Sequence, residues 1–322
     1  MDSRLAALEH WLAGQFDGAA YRLAPASEDA SFRRYFRAHL ADGRTFIVMD
    51  APPPQEDCAP FVRIARLLRE AGLHAPEVHA QDLAQGFLLL ADLGTKTYLE
   101  ALVAGDADAL MCDATDALLR WQLATRPDVL PPYDEALLQK EMALFPDWYV
   151  ARHLGRTLSS ERQGELRRIF ALLASSALAQ PKVFVHRDYM PRNLMVSQPN
   201  PGVLDFQDAV TGPITYDMIC LVRDAFLSWE EERVLDWSAR YWEKAKKAGL
   251  PVDADFGEFF RALEWMGLQR HLKVMGIFAR LTYRDGKPKY VADTPRFVGY
   301  ARAVAARYAP LAPLARLLDD LS

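Results

Sequence analysis

Basic charge is in short supply: 38 lysines and arginines face 43 aspartates and glutamates, for a formal charge of −5 and a pI near 5.8. Nucleic-acid binding needs a concentrated basic face, and this balance excludes one as a dominant feature. Long apolar runs are missing as well. No stretch approaches the roughly 20 residues of a membrane span, although 51% of the residues are hydrophobic and supply a large core. Met1-Asp2-Ser3-Arg4-Leu5 opens an amphipathic helix and has no apolar core of a secretory leader. Cysteine is rare. Cys58, Cys112 and Cys220 are odd in number, scattered and without zinc-site spacing, and they read as buried or half-buried thiols of a reducing compartment. A cytoplasmic protein is expected, with no membrane, nucleic-acid or obligate protein partner.

What the chain does carry is concentrated in one stretch. Val183-Phe184-Val185 leads into His186-Arg187-Asp188-Tyr189-Met190-Pro191-Arg192-Asn193, and Gly202-Val203-Leu204 leads into Asp205-Phe206-Gln207-Asp208. Phosphoryl transfer needs a carboxylate that orients the acceptor hydroxyl and, nearby, oxygen ligands that hold Mg²⁺ on the phosphates of ATP. The kinase catalytic loop provides these as H-R-D-x-x-x-x-N followed by a D-F-G aspartate. Asp188 fits the first role; Asn193 and Asp205 fit the second. The context agrees, with a β-prone run before the loop and a small hairpin after it, its strands separated by Ser197-Gln198-Pro199-Asn200-Pro201-Gly202.

Around this stretch the text changes character once. Residues 1–91 read as an N-terminal nucleotide-binding lobe. A helix over Ala6 to Phe16 precedes five strands, two of them flanking the hairpin signal Asp42-Gly43, and a second helix over Phe61 to Glu70 ends at Gly72. Residues 92–322 read as a catalytic and substrate-binding lobe of amphipathic helices, near 106–126, 134–154, 160–179, 215–226, 230–248, 256–281 and 293–308. The expectation is an α+β, bilobal, protein-kinase-like fold: a small N-terminal β-sheet lobe and a large, mostly helical C-terminal lobe. ATP then belongs in the interlobe crevice, with adenine against the hinge backbone at Ala91, Asp92 and Leu93.

His186 to Asn193, Asp205 to Asp208 and Gly212-Pro213-Ile214-Thr215-Tyr216-Asp217 resemble the aminoglycoside phosphotransferase/choline kinase family. Asp29-Ala30-Ser31-Phe32-Arg33-Arg34-Tyr35-Phe36-Arg37 and Val48-Met49-Asp50-Ala51-Pro52-Pro53 are similar to one branch, the anomeric sugar kinases of cell-wall recycling. That resemblance implies an ATP- and Mg²⁺-dependent kinase acting on the C1 hydroxyl of N-acetylmuramate and/or N-acetylglucosamine. Asp188 would be the catalytic aspartate, Asn193 and Asp205 the metal ligands, and Asp217 a brace for the loop. The family places its acceptor beside the catalytic loop, which makes Glu141, Trp148, Arg192, Arg223 and Asp224 candidates for sugar binding.

Three departures from the kinase pattern bear on activity. Phe46-Ile47-Val48-Met49-Asp50 has no lysine where the third strand normally carries one. The phosphate loop before it lacks glycine, so Ser31 with Arg33 or Arg34 is expected to face the triphosphate. Gln207 stands where D-F-G has glycine, and about six residues separate Phe206 from Gly212-Pro213. That is too short for a regulated activation loop and argues against a protein kinase. A catalytically dead scaffold is favoured by the absent lysine and opposed by the intact Asp188, Asn193 and Asp205. Another small-molecule kinase of the family, acting on an aminoglycoside, choline or other sugar, is the nearer alternative.

Overall fold

The computed structural model describes residues 3–28, 32–104 and 107–321. In chain order α1 (Ser3–Gln15) is followed by β1 (Tyr21–Glu28), β2 (Arg34–Leu40), β3 (Thr45–Asp50), α2 (Ala59–Glu70), β4 (Val78–Asp82) and β5 (Phe87–Ala91). Next come α3 (Tyr98–Ala104), α4 (Ala107–Leu123), α5 (Glu135–Met142), a π-helical segment (Phe145–His153) and α6 (Ser160–Ala179). Short strands β6 (Lys182–Val185), β7 (Leu194–Met195), β8 (Gly202–Val203) and β9 (Val210–Pro213) carry the motif region. Helices α7 (Tyr216–Val222), α8 (Glu231–Lys247), α9 (Phe256–Tyr283), α10 (Thr294–Arg307) and α11 (Ala312–Leu321) complete the chain. None of the helices among the described residues is long and apolar enough to cross a membrane.

Two compact units result. The first joins Met1–Ala114 with Arg192–Asp208; the second joins Thr115–Pro191 with Ala209–Ser322. The first thus takes in 92–114 and the β7–β8 hairpin as well as the sheet of residues 1–91.

In the first unit the strands pair antiparallel in the order β1-β2-β3-β5-β4. Side chains alternate across a strand, so each strand serves two faces. Ala38 and Leu40, Val48, and Phe87 and Leu89 pack against Leu8, Leu12 and Phe16 of the N-terminal helical region. The residues between them, Tyr35 and Arg37, Ile47 and Leu90, line a cavity on the other face. A polar staple holds α1 in place. Arg4 Nε donates to the buried Asp50 carboxylate at 2.6 Å and its Nη2 to the Gln85 carbonyl at 2.6 Å.

In the second unit β6 pairs antiparallel with β9, Val183 opposite Gly212 and Val185 opposite Val210. The helices follow local signals. Ser159 caps α6, accepting from Arg162 N at 3.2 Å, and Leu166, Ile169, Phe170, Leu173 and Ala177 form its buried stripe. Asp255 caps α9 through Glu258 N. That helix is buried around much of its circumference, with Leu263, Met266, Leu268, Leu272, Met275 and Phe278 inside.

One expected element is corrected. The helix read over 134–154 is α5 followed by a π-helical turn. Pro146 has no N–H to continue the α-helical ladder, and Leu154 N bonds five residues back, to the Tyr149 carbonyl at 3.0 Å. The neighbouring helix α9 runs close against the entry to this turn. A Cβ at Gly276 of α9 would overlap the Leu144 carbonyl carbon and stand 2.5 Å from its Cβ and oxygen. Three elements fell outside the expectation: α3, β9, and α11 at the C-terminal end. Cys112 is exposed, against the reading of buried or half-buried thiols, while Cys58 and Cys220 are buried; none of the three is in a disulfide.

Gly276→Ala is expected to destabilise the protein by about 1–3 kcal/mol through overpacking, despite the helix preference for alanine of roughly 1 kcal/mol. A urea denaturation midpoint equal to or above that of the parent protein would show that the approach of α9 to Leu144 is not tight.

Candidate active site

The loop after β6 is built around one buried carboxylate. Asp217 near the start of α7 accepts from His186 N at 2.7 Å on one oxygen and from Arg187 N at 2.9 Å on the other. It is fully buried, and that burial pushes its carboxyl up to about 7 even though both N–H bonds favour the ionised form. Arg187 takes a φ of +76°, a left-handed conformation that disfavours a side chain. The bonds on either side of it hold that strain. Asp188 N then donates to His186 Nδ1 at 3.2 Å, and Met190 N to the Asp188 carbonyl at 2.9 Å. The loop therefore presents Asp188 on a backbone fixed at both ends.

A buried charge network carries the Arg187 side chain. Its Nη2 donates to Glu141 Oε1 at 2.5 Å. Lys273 of α9 lies 3.0 Å from the same oxygen and donates to Tyr216 Oη at 3.1 Å. Tyr133 donates its hydroxyl to Glu141 Oε2, and Gln269 Nε2 is 3.3 Å from it. Burial works against the Glu141 carboxylate, yet Lys273 and Arg187 outweigh it and hold the group below its ordinary range.

In the first unit a cavity of about 320 Å³ is lined by Ala91, Asp92 and Leu93, by Arg37 and Ile47, and by Arg192, Asn193 and Asp205. The Asp92 carboxylate is not open to a ligand: Arg37 donates to it at 2.6 and 3.1 Å and Gly94 N at 3.0 Å. Asp205 has a φ of +61°. Its carboxylate accepts from Asn193 Nδ2 at 3.2 Å and from Gln207 Nε2 at 3.0 Å, and Arg33 Nη2 is 3.8 Å away. Phe206 anchors the turn, fully buried with its ring 4.8 Å from that of Phe61.

A profile of the phosphotransferase enzyme family matches residues 22–256. The chain belongs to that family. An N-acetylmuramate/N-acetylglucosamine kinase of Pseudomonas putida is 55% identical, over 99% of this chain and 97% of its own. A protein of the same name from Pseudomonas aeruginosa is 59% identical over 93% of this chain and 88% of its own. Among solved structures, a choline/ethanolamine kinase family protein from Mesorhizobium loti superposes with a TM-score of 0.64 at 15% identity, covering 97% of this chain and 99% of that one. This last likeness bears on the fold, which is the expected α+β protein-kinase-like one.

The residues singled out in the sequence do not all meet at one place. Asn193 and Asp205 come together, and Ala91, Asp92 and Leu93 line the same cavity. Arg192, expected among the sugar-binding residues, lines this cavity too. Arg34 is committed elsewhere, its guanidinium donating to Asp50 at 2.5 and 2.9 Å, so of the two arginines it is Arg33 that approaches Asp205. Ser31 lies outside the described residues. Glu141 is the clearest correction. Expected to bind sugar hydroxyls, it is buried and spent on Arg187, Lys273 and Tyr133. Arg223 likewise donates to Glu231 and stacks over the Tyr300 ring at 5.1 Å. Trp148 is half-buried on the π-helical segment. Asp224 is fully buried; one oxygen accepts from Phe226 N at 3.1 Å and the other has no hydrogen-bond partner among the described residues. Sequence reasoning did not single out Lys273, because a lysine inside a long helix reads as surface charge.

The Glu141 pKa is lower in the folded chain than its ordinary 4.5, so folding disfavours protonation of this group. Its contribution is present above about pH 4.5 and is lost as pH falls through the folded-state value. Glu141→Gln should therefore cost about 3 kcal/mol near neutral pH, where it leaves Arg187 and Lys273 without their anion, and the gap from the parent should narrow below pH 4.5. Urea titrations of both proteins from about one pH unit below that ordinary value to about three above it check this. A gap independent of pH would contradict the assignment.

Proposed function

We propose that this chain is an ATP-dependent kinase that phosphorylates the anomeric C1 hydroxyl of N-acetylmuramate and/or N-acetylglucosamine. The observation that carries the reading is the identity of 55% and 59% to kinases named for these two sugars, sustained over nearly the full length of both chains. A sugar 1-phosphate is a product suited to later nucleotide activation, as recycling of cell-wall sugars requires. Use of ATP as donor and cysteines outside any disulfide support a cytoplasmic setting for the reaction.

In this reading residues 1–91 form the nucleotide-binding lobe and 92–322 the catalytic and substrate-binding lobe, with adenine against the backbone of Ala91, Asp92 and Leu93. Among the described residues no group of three or more His, Cys, Asp or Glu is placed to hold a metal. One carboxylate and one amide, Asp205 and Asn193, instead suit Mg²⁺ that arrives with phosphates and keeps its waters. Bound there, Mg²⁺ would neutralise charge on the phosphates. Arg33 takes the part of the missing third-strand lysine, because it is the cation beside Asp205, with Ser31 completing the phosphate loop.

The chemistry then follows from the residues. Asp188 accepts a hydrogen bond from the sugar hydroxyl and takes its proton as the oxygen bonds to the γ-phosphorus of ATP. The bond from that phosphorus to the β–γ bridging oxygen breaks, and ADP leaves. Asp217 contributes by holding the backbone on which Asp188 sits. For the sugar, Trp148, half-buried on the same unit as Asp188, supplies a ring. Arg192 is reassigned to the nucleotide.

Incubating the protein with ATP and a panel of both N-acetylated sugars, aminoglycosides and choline should give transfer to the sugars alone. Asp188→Asn should lower that turnover by at least about 10²–10⁴-fold, and Arg33→Met should raise KM for ATP where Arg34→Met does not. Retained ATP binding with no transfer to any acceptor would instead identify a scaffold.

A further inference from the structure

The residue after Asp205-Phe206 departs from the D-F-G pattern, and the structure gives that departure a geometry. Gln207 Nε2 donates to Asp205 Oδ1 at 3.0 Å. The orientation of the amide follows from chemistry, since its oxygen turned toward a carboxylate would be repelled. The other end of the same amide is the informative one. Gln207 Oε1 is buried and has no hydrogen-bond partner among the described residues. A buried acceptor without a donor is rare in a folded protein and asks for an explanation. Here it stands on the side chain that holds the carboxylate proposed to bind the metal.

Asp205 needs such a hold. Its φ of +61° is a conformation that side chains seldom adopt, and its carboxylate is only partly covered, at 40% exposure. Asn193 donates to its Oδ2 and Gln207 to its Oδ1, and the Arg33 guanidinium lies 3.8 Å from Oδ1. The two hydrogen bonds orient the carboxylate. Glycine at 207 would remove the one on Oδ1.

We propose that Gln207 is a positioning residue for the divalent cation: Nε2 fixes the Asp205 carboxylate, and Oε1 accepts a hydrogen bond from a water bound to the cation. Mg²⁺ usually keeps several waters, and each is a donor that needs an acceptor. The inference rests on the phosphotransfer reading given above. It assigns the glutamine a chemical task where glycine would only confer backbone freedom.

Gln207→Met tests it, because methionine keeps the length and packing of the side chain and deletes both polar ends. Binding of Mn²⁺ in the presence of ADP, followed by electron paramagnetic resonance, should weaken about 10–100-fold, the usual effect of losing an outer partner of a metal ligand. Metal-free ADP binding, measured by calorimetry, and the thermal midpoint should stay at parent values. A loss of Mn²⁺ affinity below tenfold overturns the proposal and leaves the phosphotransfer reading standing. Equal losses in metal-bound and metal-free nucleotide binding also overturn it, since they mark a structural role. If the parent protein itself binds no Mn²⁺ with ADP, this inference and the phosphotransfer reading fall together.

Discussion

The carboxylate of Asp217 is the constraint on which the catalytic loop depends. Its two oxygens take the amides of His186 and Arg187, the residues that lead into Asp188. Those amides are buried, and leaving either one unmatched would cost about 1–3 kcal/mol. The same two bonds stabilise the left-handed backbone at Arg187. From there the constraint passes to side chains. Arg187 is directed into the second unit's interior, where Glu141 and Lys273 make a buried network with it. The loop is thus fastened twice, once through its backbone to α7 and once through its arginine to α5 and α9. This is the rigidity that a positioned carboxylate requires, because misplacement by about 1 Å is enough to cost on the order of 10²-fold in rate.

The first unit solves a different problem with the same economy of parts. Alternation along β2, β3 and β5 gives one face to the packing of α1 and the other to the cavity. The missing lysine of β3 leaves Ile47 at the cavity wall, and positive charge enters from Arg33, Arg37 and Arg192 instead. Arg37 is neutralised by Asp92, and Arg34 by Asp50. Arg33 lies 3.8 Å from Asp205. In the proposed reading the phosphate-binding cation has moved from the middle of β3 to the entry of β2, which would let Asp188, Asn193 and Asp205 act without the usual lysine.

Much of this was legible in the residues, for reasons that differ by element. The motif could be read because phosphoryl transfer fixes residue types and their spacing, and the bond from Asp217 to the loop followed with it. Helix α6 could be read near 160–179 because its apolar residues recur at helical spacing, a local signal. Val210-Thr211-Gly212-Pro213 could not be read as a strand, because glycine and proline speak against one and only pairing with β6 creates it. The π-helical turn was hidden as well: its entry packs against Gly276, more than a hundred residues away in sequence. Glu141 was misread because a carboxylate near a motif looks the same whether it meets a sugar or an arginine. Charge balance in a core becomes visible only when Arg187 and Lys273 are seen to converge on it.

The central claim is that Asp188 activates the anomeric hydroxyl of an N-acetylated hexosamine. Phosphorus NMR of the product, made from each of the two sugars with ATP, tests this most directly. The account predicts a sugar phosphate whose phosphorus couples to the single anomeric proton. Coupling to a pair of methylene protons would mean a 6-phosphate and a sugar bound the other way round, and would contradict it.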